Sequence, residues 1–327
     1  MPERATLNQI TQIGVESTPG TAVAAGKLLQ ALTITPGIKV DVSRFRPAGA
    51  KFATIAALAK EWVEAKIEGP GCYNHMAYLM AGILGYAAPA QQGGTTAYKW
   101  TATPGQSAED TIRTFTVEQG SSVRAGRFAY GLVTQLGLKF DRSGVAVTGA
   151  MLGHAYEDGV TMTGTPAAIA VQPIQPTEVS VYMDTTGASI GTTKLTRVLR
   201  AEFEIGDRYS PLWTLNSAAN GFEAHVETAP AATVKLLVEA DAAGMGPLAA
   251  VRAGDKKFIQ VKATSSALAG TGYAYSMTLG VCGVVADVSE FSDEDGVYGI
   301  EWTFDVAYDA TWGKALTMEL VNTLTGL

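Results

Sequence analysis

Histidine and cysteine are almost missing from this 327-residue chain, which has three of the first and two of the second. His75, His154, His225, Cys72 and Cys282 show no Cys-x-x-Cys or His-x-x-x-His spacing, so a zinc site is not expected. Each histidine reads as a surface or capping residue, and the two cysteines as buried thiols rather than a disulfide framework. Charge is also sparse, at 17% of residues with a net of −7, which argues against tight non-specific phosphate binding. There is no run of about 18 apolar residues and no charged-then-apolar leader, so the expectation is a protein made and folded in cytoplasm, with no membrane partner.

Catalytic signatures fail on spacing. Gly20 to Lys27 has five residues between Gly20 and Gly26 and then Leu28, where a phosphate loop needs four residues and a Ser or Thr. Asp293-Glu294-Asp295-Gly296 resembles the middle of a calcium loop, but its first and twelfth ligand positions are Phe291 and Trp302. A hairpin turn explains it better. No Gly-x-Ser-x-Gly elbow is present, and Glu61 with Glu64 reads as a solvated strand face rather than a glycosidase pair. The chain is expected to be no enzyme and to need no cofactor.

What is abundant points to strands. Thirty-six glycines with many Thr, Val and Ala favour strands and turns, and 47% hydrophobic residues suffice for real cores. Ile38, Val40 and Val42 alternate with Lys39, Asp41 and Ser43, and Val63, Ala65 and Ile67 alternate with Trp62, Glu64, Lys66 and Glu68. That period of two is the mark of half-buried strands. Between them, Arg46 to Lys60 reads as a long loop. Met76 to Leu84 has helical spacing, Pro89 to Pro104 reads as a polar insertion, and Asp141 to Gly144 as a hairpin turn.

Two halves of the chain look like copies. Phe128-Ala129-Tyr130 and Ala155-Tyr156-Glu157 are answered by Tyr273-Ala274-Tyr275 and Ala307-Tyr308-Asp309. Val63 to Glu68 resembles Leu236 to Asp241, Arg44-Phe45-Arg46-Pro47 resembles Arg208-Tyr209-Ser210-Pro211, and Phe115-Thr116-Val117 resembles Phe258 to Val261. The order is kept while the spacing drifts. Domain-sized copies follow: an N-terminal arm (1–26), a first domain (27–157), a proline-rich linker (158–177) and a second domain (178–327), which repeats the plan with a helix at Pro247 to Ala253 and a long loop from Tyr209 to Thr233. Residues 1–157 carry 14 Lys+Arg against 11 Asp+Glu, net +3, and residues 158–327 carry 10 against 20, net −10. Opposite charge on related units allows one to attract the other across an interface.

Gly14-Val15-Glu16-Ser17-Thr18-Pro19-Gly20-Thr21-Ala22-Val23-Ala24-Ala25, followed by Leu32-Thr33-Ile34 and Phe45-Arg46-Pro47-Ala48-Gly49, resembles the major tail proteins (tail tube proteins) of long non-contractile-tailed bacteriophages, the siphophages, in a tandem-domain form. The likeness is clearest over residues 10–85. It implies a mainly β protein: two tail-tube-like β-sandwich or partial-barrel domains, each with a short flanking helix and a long inter-strand loop that orders when subunits stack. It further implies a structural virion protein that self-assembles into stacked rings, a conduit for genome DNA during ejection, beside tape-measure and tail-end proteins. With two domains per chain, a trimer would stand as a pseudo-hexamer.

On that resemblance, Asp41, Glu64, Glu68, Glu202, Glu204 and Glu239 are candidates for the lumen, where acidic side chains repel transiting phosphate. Arg46, Pro47, Lys51, Phe52, Lys60, Tyr209, Pro211, Trp213 and Phe222 are candidates for contacts between rings. The alternative is a two-domain β-sandwich binding module, an adhesin or carbohydrate-recognising appendage using Trp62, Trp100, Trp213, Trp302 and Trp312 as platforms, although most of these read as core or interface.

Overall fold

The computed structural model describes residues 5–215 and 221–327, and the chain is mainly β. The first half contains β1 (Ile10–Val15), β2 (Lys27–Leu29), β3 (Thr33–Phe45), β4 (Ile55–Pro70), α1 (Met76–Ile83), β5 (Ala90–Gln91), β6 (Tyr98–Ala102), β7 (Phe115–Gly120), β8 (Ala125–Asp141), β9 (Gly144–Gly153), β10 (Glu157–Val160) and β11 (Ala167–Ala168). The second contains β12 (Val179–Asp184), β13 (Val198–Gly206), β14 (Tyr209–Leu212), β15 (Ala224–Glu227), β16 (Ala231–Glu239), α2 (Pro247–Ala253), β17 (Lys257–Gly270), β18 (Tyr273–Val288), β19 (Ser292–Glu294), β20 (Val297–Val306) and β21 (Leu316–Asn322). No helix among the described residues is long and apolar enough to cross a membrane.

One pairing scheme occurs twice, always antiparallel. β1 pairs with β7 as β12 pairs with β17, and β3 with β4 as β13 with β16. β4 pairs with β9 as β16 with β20, while β7·β8·β9 is matched by β17·β18·β20. β8 serves two sheets: its first part lies beside β7 and β10, and its last part beside β9. It turns from one to the other at Tyr130, whose φ of 57° is unusual for a residue with a side chain.

Superposing the turns Asp141–Gly144 and Glu294–Val297 equates Gly149 with Trp302, and so Ile67 with Leu236 and Ile34 with Ala201. In that register Phe115 and Phe258 correspond, since they lie opposite Val15 and Asp184 on matching strands. Other motif matches slip. Val63–Glu68 sits four residues from its sequence partner, and Phe128 corresponds to a position near Leu279 rather than to Tyr273. A strand repeats every two residues, so the slip of four keeps every side chain of Val63–Glu68 on its face and escapes pattern matching.

The halves are laced together. β8 pairs with β13, and β21 pairs with both β18 and β6. The segment expected to be a polar insertion, Pro89 to Pro104, is therefore structural: Trp100 is fully buried, and its indole N–H donates to Asn322 Oδ1 at 2.8 Å. The arm and linker also differ from expectation. Ile10–Val15 is a mostly buried strand between β2 and β7, and the linker pairs through β10 and β11. Proline blocks a donor only at its own position, so the residues around Pro166 and Pro173 remain free to pair.

Core packing follows composition. Every residue of α1 is buried, as expected of a short helix with no charged residue. Gly82 lets it approach β8, because a Cβ there would lie 2.6 Å from Val133 Cγ2. Both cysteines are buried and free.

Candidate assembly surface

β3 and β4 form a hairpin whose base is covered and whose far half is bare. β9 covers β4 only from Val63 to Pro70, so Ile38–Phe45 and Ile55–Trp62 project as a lone two-stranded ribbon. Its apolar side chains Ile38, Val40, Val42, Phe45, Phe52, Ile55 and Leu58 are 40–80% exposed. An apolar concentration of this kind marks an interaction surface, and an isolated two-stranded hairpin is marginal by itself. Arg46, Pro47, Lys51 and Phe52 stand at the tip. The expected loop Arg46 to Lys60 is shorter than read: Ile55–Lys60 belongs to β4, because alternation through small alanines hid the strand.

The counterpart in the second half is folded down instead. After β13 the chain turns at Asp207, with φ 56°, and β14·β15 forms a separate two-stranded sheet packed on the first half. Arg208, buried at the turn, donates to the carbonyls of Ile83 and Leu84 at 2.8 and 3.2 Å and pairs with Asp110 and Glu227. Phe222 meets Tyr130 and His154 edge to face, at 4.7 and 4.9 Å. His154 Nε2 bonds the Phe222 carbonyl at 2.8 Å, and His225 Nδ1 bonds Tyr130 Oη at 3.0 Å. Tyr209 and Phe222, expected to be free for contacts between rings, are therefore buried within the chain. Aromatic rings at β-alternation look the same in sequence whether they dock inward or outward. Residues 216–220 of the expected Tyr209 to Thr233 loop lie outside the described residues.

The bare ribbon and the docked one meet at a cleft of about 310 Å³ lined by Asp41, Lys60, Trp62, Glu64, Leu152, Pro211, Trp213 and Phe222. Two sets of residues with separate expected roles share it. Trp62 and Trp213 contact edge to face at 5.6 Å, and the Lys60 ammonium lies 4.8 Å from the Trp213 centroid. The Trp62 indole donates to Glu64 at 3.0 Å. That bond, with Lys39 at 3.2 Å, holds the Glu64 carboxyl below its ordinary value against the opposing effect of desolvation.

All six acidic candidates share one face of a continuous sheet. Cross-strand register runs β3·β4·β9·β8·β13·β16·β20·β18; Glu64, Glu68, Glu202, Glu204 and Glu239 alternate with core-facing neighbours on its outer side, and Asp41 continues that side along the bare ribbon, between the exposed Val40 and Val42. The same face carries cations, which sequence reading overlooked. Arg200 bridges Glu202 and Glu301, Arg197 pairs with Glu239 at 2.6 Å, and Lys139 with Asp141 at 3.3 Å. Glu204 accepts from Gln135. Asp41 and Glu68 have no ion pair among the described residues.

Several consequential residues carried little signal in sequence. The carboxylate of Glu16, in the Gly14 to Ala25 motif, is buried and accepts from Gly20 N, Thr114 Oγ1, Thr116 Oγ1 and Tyr130 N at 2.8–2.9 Å. It holds β1, β7 and the bend of β8 together. Gly20 is required beside it, since a Cβ would lie 2.7 Å from the Tyr130 ring. His75 is fully buried, at the start of α1, and His154 and His225 are half-buried. Desolvation lowers the pKa of all three, most for His75, which falls to about 4 and whose Nε2 accepts from Gln30 N and Ala31 N at 3.3 Å.

No protein-family model matches the chain, and no curated protein matches it.

Proposed function

We propose that this is a non-enzymatic structural protein that assembles with itself into rings, and that stacked rings form the tube of a siphophage tail through which genome DNA passes. The observation that carries the reading is the bare β3·β4 ribbon, a long hairpin with apolar side chains on show and, among the described residues, no third strand beyond its root. A monomer would gain nothing from it, whereas an assembly buries it at about 25 cal/mol per Å² of apolar surface. The tip residues Arg46, Pro47, Lys51 and Phe52 make the contacts between rings. Lys60, Pro211 and Trp213 brace the ribbon at its root, and the outer sheet face lines the lumen.

The twice-used pairing scheme supports three chains per ring, each contributing two similar units, so that a trimer has pseudo-sixfold symmetry. The lumen is ion-paired rather than uniformly acidic, which keeps it hydrated and gives transiting phosphate few unpaired cations to hold. Electron microscopy of concentrated purified protein is the direct test, with annular or tubular particles expected. Particles that stay monomeric at every concentration and salt would overturn the reading. Native mass measurement of a released ring decides the number, and six chains would exclude the trimer.

A further inference from the structure

The cleft at the root of the ribbon already holds a cation, and that cation belongs to the chain. The β3·β4 ladder places Asp41 directly opposite Lys60, the arrangement in which opposite charges on one face of a sheet ordinarily pair. Among the described residues neither side chain has an ion pair. The Lys60 ammonium lies instead 4.8 Å from the centre of the Trp213 ring, within the roughly 6 Å over which a ring face attracts a cation.

The walls suit that use. Trp213 meets Trp62 edge to face at 5.6 Å and 73°, and Phe222 at 5.9 Å and 75°, so the three rings stand as walls of a corner. Leu152 and Pro211 extend the apolar lining. Of the two carboxylates on the cleft wall, Glu64 is engaged by Trp62 Nε1 at 3.0 Å and by Lys39 at 3.2 Å, which leaves Asp41 as the unspent negative charge. Rings at steep angles beside one carboxylate recognise an ammonium whose charge is wrapped in methyl or methylene groups. A bare calcium or magnesium ion fits poorly, because it needs several oxygen ligands, and no group of three or more metal-binding side chains occurs among the described residues.

We propose that this cleft is a binding site for a small organic ammonium ion, with the Trp213 ring taking the cation, Asp41 balancing its charge, and Lys60 acting as a built-in competitor that the ligand displaces. Lys60 is exposed, so its side chain leaves the ring for water at little cost. The cleft volume of about 310 Å³ limits the ligand to a compact one, since small-molecule sites run from about 300 to 1,000 Å³. Charge sets the selectivity: an uncharged body of the same shape gains the apolar walls but neither the ring quadrupole nor Asp41. The site is complete within one chain and goes beyond the self-assembly reading rather than resting on it.

Choline is a suitable probe, and its uncharged carbon isostere, with a quaternary carbon in place of the nitrogen, is the control. Saturation-transfer NMR of the choline methyl protons against the purified chain, with ionic strength held constant by sodium chloride, is expected to show saturable binding in the millimolar range and none of the isostere. Lys60→Ala vacates the ring and should tighten choline binding about threefold. Asp41→Asn should weaken it about threefold, and because Asp41 is exposed and without an ion pair, circular dichroism and melting of that variant should match the parent. Trp213→Leu should abolish binding. Equal binding of the isostere, unchanged binding in Asp41→Asn, or no binding even in Lys60→Ala overturns the site, while binding seen only in Lys60→Ala upholds both the site and the competitor. Unchanged affinity in Lys60→Ala overturns the competitor. Choline binding by a chain that never forms rings keeps the site and overturns the tube, and rings without choline binding do the reverse.

Discussion

The ammonium of Lys60 lies 4.8 Å from the centre of the Trp213 ring, which joins the root of the bare ribbon to the docked one. Both side chains are partly solvated, so the contact is worth about 0.5–1 kcal/mol. Lys60→Ala should lower unfolding stability by about that much in urea titration. A loss above about 3 kcal/mol would show that Lys60 serves some other contact.

Arg208 is a harsher case, because it satisfies the carbonyls of Ile83 and Leu84 and two carboxylates from a buried position. Removing one partner of a buried charge network costs about 3–5 kcal/mol. Arg208→Met should lose stability on that order, and Arg208→Lys should rescue little, because an ammonium cannot reproduce the forked geometry. Full rescue by lysine would reduce the network to simple charge balance.

His75 makes stability depend on pH. Its imidazole must be neutral at Nε2 to accept from Gln30 and Ala31, and burial lowers its pKa from 6.5 to about 4. The unfolded chain then binds a proton that the folded chain refuses, so stability is complete above about pH 6.5 and falls as pH drops toward 4. The full effect is about 3 kcal/mol. In His75→Gln, the pH 4 to 6.5 slope measured by denaturant melts should flatten by a comparable amount, and an unchanged slope would assign it to other groups.

Deleting residues 47–59 removes the ribbon tip without touching a buried apolar side chain. The shortened protein should be soluble and folded, with a melting temperature within a few degrees of the parent, yet form no tubes. Normal tubes from it would show that stacking uses another surface.

The strands most legible in sequence were those with one face in the core. Val63, Ala65 and Ile67 alternate cleanly because β4 is covered there on a single side, and Met76 to Leu84 was recognisable because a stretch without a charged residue has nowhere to go but inward. Ile55 to Lys60 was illegible as strand because its side chains stay exposed, so no burial shaped its pattern. The docking of Phe222 was illegible for a different reason: its partners Tyr130 and His154 lie in the other half, and neither spacing nor charge connects them. Glu16 lies within the Gly14 to Ala25 motif, but its four donors come from three separate segments.

Composition and local alternation by themselves determined a strand-built chain, its two short helices, and a plan stated twice. These are short-range matters, settled by which side chains tolerate a pleated backbone and which face must be apolar. Tertiary structure alone decided which of two similar hairpins stands free and which folds down, and the register in which the halves join. A period of two names faces but neither partners nor offsets, and the choice between solvent and a neighbour depends on groups that meet only after the chain has folded.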